Sequence, residues 1–403
     1  MMTESHHETN TVPALRPFAI RLAIFYSAVF GLTGVYLPFF PVWLRAIGMD
    51  ATWVGVIIAV PAVTRFTVLP FITGFAERRG SLRSALIATA WLTTLGFAVL
   101  AFAHEPLVVL LVFAATACIW TPMIPLTDGY ALKGVLRYGL SYGPLRLWGS
   151  AAFIIGALAS GALSAIVPAQ HLIWLIVAVA VLGAFASFAL LPMREATSTG
   201  IVSGGATVLL RSPAFWAVML TTALLQGSHA AYYAFGSIIW QAEGFDGFAI
   251  ALMWSLGVLA EIVLFALSPR LSIPPILMLT IGALAAMLRW SIAAQGPPAP
   301  VLIAIQLLHS LTFGITLLGT VGLLAKLVPG RIMASAQGYL VAATGATSGT
   351  AMVLSGLIYA RYGVAVYYAM AAMGAAGLAI IIGMRGSLAA AARSQPQSAG
   401  AGG

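Results

Sequence analysis

Asp128, in IPLTDGYALK, and Arg146, in YGPLRLWGS, stand eighteen residues apart on neighbouring apolar stretches joined by KGVLRYGLSYG. Helices on either side of so short a turn run antiparallel, so the carboxylate and the guanidinium can reach a similar depth. Opposite charges hold each other ionised. The pair would offer a polar solute one acceptor and a fork of donors. The competing reading is structural, with Arg146 an anchoring cation and Asp128 an ordinary helix-end carboxylate. A second group comprises His229, Glu261, Arg289 and His309, all inside apolar stretches. Gln226, His229 and Tyr233 recur at i, i+3 and i+7, which puts them on one helical stripe, and Gln306, His309 and Thr312 make a similar one. These residue types bind polar solutes and move protons. Glu261 is the first candidate proton carrier, with Arg289 placed to respond to it. His309 is the second, because an unperturbed imidazole titrates at about 6.5. The alternatives are packing histidines and a buried Glu261–Arg289 pair that only fixes helix register.

Covalent chemistry finds no support. The sequence has no HExxH, no Ser-Lys or Ser-His dyad, no pair of membrane-surface aspartates and no phosphate-binding G-x-x-x-x-G-K-[ST]. No enzyme, cofactor or metal site is expected. The single cysteine, Cys118, rules out a disulfide within the chain.

The elements that must position these residues follow from composition. Of 403 residues 61% are hydrophobic and 7% charged, where a soluble domain carries roughly 25% charged. Apolar residues come in blocks of about twenty, enough for a helix to cross ~30 Å of hydrocarbon. They do not alternate in the ten-residue pattern of a membrane barrel. The sequence predicts an all-α membrane protein with twelve spans at 18–44, 52–75, 82–103, 107–131, 143–167, 170–191, 213–240, 246–268, 272–294, 299–325, 335–360 and 363–384. The longest linker, 193–212, is rich in Ser, Thr and Gly and divides two six-helix halves, 18–192 and 213–385. Residues 1–17 and 386–403 read as flexible cytoplasmic tails, and MMTESHHETN is no signal peptide.

With both termini inside, fifteen Lys and Arg fall at cytoplasmic ends; only Arg45 and Arg361 fall outside, and Arg65 and Arg289 lie within spans. The positive-inside rule therefore accounts for the +9 net charge, and no nucleic-acid partner is needed. A charge at the centre of a span costs ~2.5–3.5 kcal/mol, so such residues face cavities and find partners. The two charged groups, one per half, suit a cavity at the interface of the halves. Tyr26, Tyr36, Trp120, Trp148, Tyr232, Tyr233 and Trp240 could line it, and rings beside an arginine suit an aromatic acid. Trp43, Trp53 and Trp290 read instead as lipid-facing or interfacial. The prolines of LPFFP and of spans two and four read as kinks.

Twelve spans split six and six resemble the major facilitator superfamily. TGFAERRGSLR, after span two, is similar to its loop signature G-x-L-A-D-R-x-G-R: Ala76, Glu77, Arg78 and Gly80 match, with Glu for Asp and Thr73 in place of the first Gly. The resemblance implies a loop that controls rocking of the halves, with Glu77, Arg78 and Gly80 at the gate. YGPLRLWGS resembles the entry to span five in the lactose permease and its relatives in the phenylpropionate permease group. QGSHAAYYAFGSIIW and QLLHSLTFG resemble spans seven and ten of that group. This resemblance implies substrate contacts from Asp128, Arg146, Trp148, Gln226, His229, Tyr233 and Gln306. It implies proton coupling through Glu261, Arg289 and His309. Thr312 and Gln306 stand where the lactose permease has a coupling carboxylate and a lysine, which leaves Glu261 as the carrier. Pro144 and Trp148 also depart from the lactose permease, against strict sugar specificity.

The implied activity is that of a secondary transporter in the cell inner membrane, monomeric by superfamily habit, whose partners are the bilayer, a proton and a small solute. The solute class implied is an aromatic acid like phenylpropionate, taken up by proton symport. A sugar or nucleoside symporter is the alternative. An efflux antiporter is disfavoured, because GSAAFIIGALASG lacks the Gly-Pro of drug antiporters.

Overall fold

The computed structural model describes residues 12–69, 71, 82–140, 142–192, 206–270, 272–329 and 332–394. Among them the regular elements are helices alone. In a bilayer no water satisfies backbone groups, so a single-segment crossing must bond within itself. Nine stretches among the described residues are long and apolar enough to cross a membrane; one of them, Ser335–Leu388, spans 54 residues and contains two helices. The helix Ala51–Thr67 is apolar but shorter, at 17 residues.

In chain order the helices are α1 (Val12–Ala46), α2 (Ala51–Thr67), α3 (Leu82–Leu100), α4 (Pro106–Trp120), α5 (Met123–Tyr138), α6 (Tyr142–Leu163) and α7 (Ile173–Phe188). Beyond residue 205 follow α8 (Pro213–Gly227), α9 (Ala230–Ala242), α10 (Gly247–Leu267), α11 (Pro275–Ala293) and α12 (Ala299–Ala304). A π-helical turn (Ser310–Ile315) then leads into α13 (Thr316–Leu327), α14 (Met333–Tyr362) and α15 (Val366–Ser394). Helix starts follow their sequence: Asp50 and Asp246 cap α2 and α10, accepting from the backbone N–H of Trp53 and Ala249. Proline opens α4, α8 and α11, where its missing N–H costs nothing.

Helices α1–α7 pack on one another, as do α8–α15. Across the two groups the contacts run mainly α2 to α14 and α6 to α10, with α1 against α9 between them. Small residues let the backbones close. A Cβ on Gly55 would lie 2.7 Å from the Met352 carbonyl oxygen, and one on Gly161 2.5 Å from that of Gly247. Both contacts sit at the bundle end that carries the short turns at residues 47–50 and 243–246. The opposite end is basic. There Arg83 donates to the Leu190 and Phe188 carbonyls at 2.6 and 3.2 Å, and Arg21 to Ala189 at 3.3 Å, satisfying the free carbonyls that end α7.

Three expected spans are interrupted. Span four breaks between Trp120 and Met123, where Pro122 removes a backbone donor. Span seven breaks at Ser228–His229, where the His229 ring itself bonds the Leu225 carbonyl at 3.2 Å and competes with the helix ladder. Span ten turns irregular from Ile305 to His309 and then π-helical. Irregular backbone at membrane depth is tolerated where it lines a cavity, and π-bulges favour functional sites.

Other expectations need correction. Trp43 and Trp290 are not at the lipid boundary: they are 0% and 1% exposed, and their indole N–H groups donate to the Gln170 carbonyl and the Ser228 hydroxyl. A buried indole needs such an acceptor, which made these positions internal. Helix α15 continues to Ser394, into the segment expected as a tail, because GSLAAAARS is rich in the strongest helix former. Helix α1 likewise begins at Val12, inside the other expected tail. Glu77, Arg78 and Gly80 lie outside the described residues.

Candidate functional site

Asp128 stands mid-way along α5 and Arg146 in the second turn of α6, and the fold brings them together. The Arg146 Nε lies 3.9 Å from Asp128 Oδ1, each side chain about one third exposed (33% and 32%). That distance is too long for a hydrogen bond. The short contact to Asp128 comes from α1, where the Tyr26 hydroxyl donates to Oδ1 at 2.7 Å. The guanidinium lies over the Phe30 ring, 3.8 Å from its centroid. Gly149, one turn on, makes that fold-back possible: a Cβ there would meet the Phe30 ring at 2.7 Å and an Arg146 terminal nitrogen at 3.2 Å.

Arg289 on α11 is the centre of a second, enclosed cluster, 1% exposed. One terminal nitrogen donates to Gln306 Oε1 at 3.1 Å; the other serves His309 Nδ1 and Thr312 Oγ1, both at 3.2 Å. Tyr232 and Trp290 rings flank the guanidinium, 4.7 and 4.4 Å from their centroids. A buried cation is tolerable only when so surrounded. The network assigns the tautomers. His309 accepts at Nδ1, so its Nε2 carries the proton and faces Glu261 Oε2 at 3.8 Å. His229 donates from Nδ1 to the Leu225 carbonyl, so its Nε2 accepts from the Thr312 hydroxyl at 2.9 Å. The His309 imidazole, which accepts from a guanidinium, is thereby neutral.

The two clusters are linked. Glu261, on α10, has a side chain 19% exposed. Its helix packs on α6, which carries Arg146, although no ion pair joins the two side chains among the described residues. Asp128, Arg146, Glu261, His309 and Arg289 therefore form one series of groups through the middle of the molecule. The sequence separated them into one set per half. Nothing in the spacing showed that the helix of Glu261 packs on the helix of Arg146, because that depends on how α6 and α10 face each other.

The remaining candidates divide. Gln306 joins the Arg289 cluster and anchors itself by donating to the Leu302 carbonyl at 2.8 Å. Tyr233 is half-buried and stacks on Trp254 and on the His229 ring. Gln226 is half-buried at the α8–α9 break, and its side chain has no hydrogen-bond partner among the described residues. Trp148 is not brought to the site. It lies two residues from Arg146, about 200° around the helix, and is 57% exposed on the outer face of α6. Trp120 and Tyr36 pack edge to face at 4.5 Å within an aromatic cluster of the first helix group. Arg65 was visible in the sequence only as a cation within a span. Its side chain is exposed, in the last turn of α2, and makes no hydrogen bond or ion pair among the described residues. Among the described residues no group of three or more His, Cys, Asp or Glu could hold a metal ion.

Comparison with known proteins places this arrangement. The profile of the MFS_1 like family matches residues 19–370. The chain belongs to that family. It is also 33% identical over 359 residues to the "Probable 3-phenylpropionic acid transporter" of Escherichia coli (strain K12), covering 87% of this chain and 93% of that protein. The maltose permease of Geobacillus stearothermophilus is 25% identical over 323 residues, covering 78% and 80%. Among solved structures, a mutant of the nucleoside transporter NupG superimposes with a TM-score of 0.81 at 17% identity, over 91% of this chain and 99% of that one. The molecule is thus a multi-pass membrane transporter of the major facilitator type, similar to phenylpropionate permeases.

Proposed function

We propose that this transporter imports a small aromatic acid of the phenylpropionate class together with a proton, by alternating access. The observation that carries the reading is Glu261 facing His309 at 3.8 Å from the helix that packs on the helix of Arg146. An ionised Glu261 attracts Arg146 across the contact between the two helix groups. A protonated Glu261 releases it. The same proton thus alters both the charge of the solute cavity and the attraction between α6 and α10. Binding two ligands to one bistable contact is what couples their movements. Asp128 and Arg146 form one wall of the cavity, and Tyr233, backed by the enclosed His229–Arg289 cluster, forms the other. Arg289 is the fixed cation that responds to Glu261 through His309.

The topology belongs to the same proposal. Pairing the helices as interrupted spans, α4 with α5, α8 with α9 and α12 with α13, gives twelve crossings in two groups of six. The basic loops then put both termini in the cytoplasm of a cell whose inner membrane holds a monomer.

Uptake of labelled 3-phenylpropionate into proteoliposomes with an alkaline interior tests the function. Accumulation above empty liposomes that collapses with an uncoupler is expected. A second reading, a sugar or nucleoside symporter, draws on the maltose permease likeness. Labelled maltose or uridine accumulating where the acid does not would favour it.

A further inference from the structure

Asp128 and Arg146 are close enough to close into a hydrogen-bonded pair, and they stand open. Such a contact measures about 2.8 Å, whereas Arg146 Nε stays 3.9 Å from Asp128 Oδ1. Two residues of α1 hold the partners apart. Tyr26 and Phe30 are four residues apart and share one face of that helix. The Tyr26 hydroxyl donates to Asp128 Oδ1 at 2.7 Å, which occupies the same oxygen that Arg146 approaches. The Phe30 ring takes the guanidinium, with its centroid 3.8 Å from Arg146 Cζ, and the Tyr26 ring lies 5.8 Å away.

A ring and a carboxylate use different parts of an arginine. The N–H donors lie in the guanidinium plane and point outwards from its edge. A ring against the face offsets the cost of desolvating the charge and leaves those donors unspent. Arg146 makes no hydrogen bond among the described residues, and its side chain is one third exposed. Arg289 has rings against it as well, yet its edge is spent on Gln306, His309 and Thr312. Gly149 preserves the arrangement around Arg146. A Cβ there would meet the Phe30 ring at 2.7 Å and an Arg146 terminal nitrogen at 3.2 Å, so a side chain would displace one or the other.

We propose that Phe30 is a positioning residue for the charge of the solute. It keeps Arg146 from closing on Asp128, so that the guanidinium edge is presented to the carboxylate of the transported acid. This rests on the organic-acid reading above. Tyr26 acts from the other side by holding Asp128. An aliphatic side chain in place of Phe30 offers the cation no such face. Arg146 then turns to Asp128, about an ångström short of a hydrogen bond, and the two charges satisfy each other instead of a planar anion.

The test is binding of 3-phenylpropionate and of its neutral isostere 3-phenylpropionamide to purified protein, by calorimetry. The chains compared are the unaltered one, Phe30→Leu, Phe30→Tyr and Tyr26→Phe. The unaltered protein should prefer the acid. Phe30→Leu should lower that preference about tenfold while amide binding stays within about threefold. Phe30→Tyr, which keeps the ring, should retain the preference. Tyr26→Phe removes one hydroxyl and no ring, and should lower the preference about threefold. A preference unchanged in both Phe30→Leu and Tyr26→Phe would overturn the assignment and leave the organic-acid reading standing. Equal loss of acid and amide in Phe30→Leu would also overturn it, since Phe30 would then serve packing alone. No acid binding by the unaltered protein would overturn both readings.

Discussion

The Arg146 and Arg289 sites use the same side chain in opposite ways. Arg289 is closed off, with both terminal nitrogens bonded and rings on either side. Arg146 is one third exposed, with its carboxylate partner 3.9 Å away and its face on a ring rather than on a second acceptor. A buried cation bonded through both terminal nitrogens fixes geometry, because removing it strands several buried acceptors at once. A loosely held one can change partners. The difference teaches that depth alone does not mark a working residue in a transporter; freedom to change partners does.

That contrast can be broken by substitution. Arg146→Ala should leave folded, monodisperse protein yet reduce uptake of labelled 3-phenylpropionate by a factor of about 100 or more, since Asp128 and Glu261 would then oppose an anion without compensation. Arg289→Ala should act on the fold instead. It leaves Gln306, His309 and Thr312 without their donor, at ~1–3 kcal/mol for each orphaned group. Thermal unfolding in detergent should show a marked loss of stability, and uptake should fall with the amount of intact protein. Stability equal to that of the unaltered chain would end the distinction.

Smaller effects sharpen it. Gly161→Val places a side chain where only 2.5 Å separates a Cβ from the Gly247 carbonyl oxygen. It should wedge α6 from α10 and raise the reactivity of a cysteine introduced at Ala165 towards a membrane-impermeant thiol reagent severalfold. Trp148→Phe, on the outer face of α6, should change uptake less than twofold. A larger loss would return Trp148 to the cavity.

The fold class and the paired residues were legible in the sequence because they depend on local quantities. Apolar block length sets the helices, and an eighteen-residue interval around a tight turn aligns Asp128 with Arg146. The helix breaks at His229 and Ile305–His309 were not legible, since the polar side chains there compete with the backbone inside a run that stays apolar on average. The link from Arg146 to Glu261 was hidden for another reason. It crosses from one helix group to the other, and its geometry is set by the glycine contacts between α6 and α10 rather than by any interval along the chain. Trp148 misled because a conspicuous ring next to Arg146 in sequence lies on the far side of the same helix.

The central claim is that Glu261 carries the proton which drives the solute. It is tested most directly by comparing Glu261→Gln with the unaltered protein in proteoliposomes loaded with 3-phenylpropionate, corrected for empty vesicles. The account predicts that Glu261→Gln exchanges labelled for unlabelled acid at a normal rate but fails to accumulate it against a gradient when the interior is made alkaline. Accumulation by Glu261→Gln equal to that of the unaltered protein would contradict it.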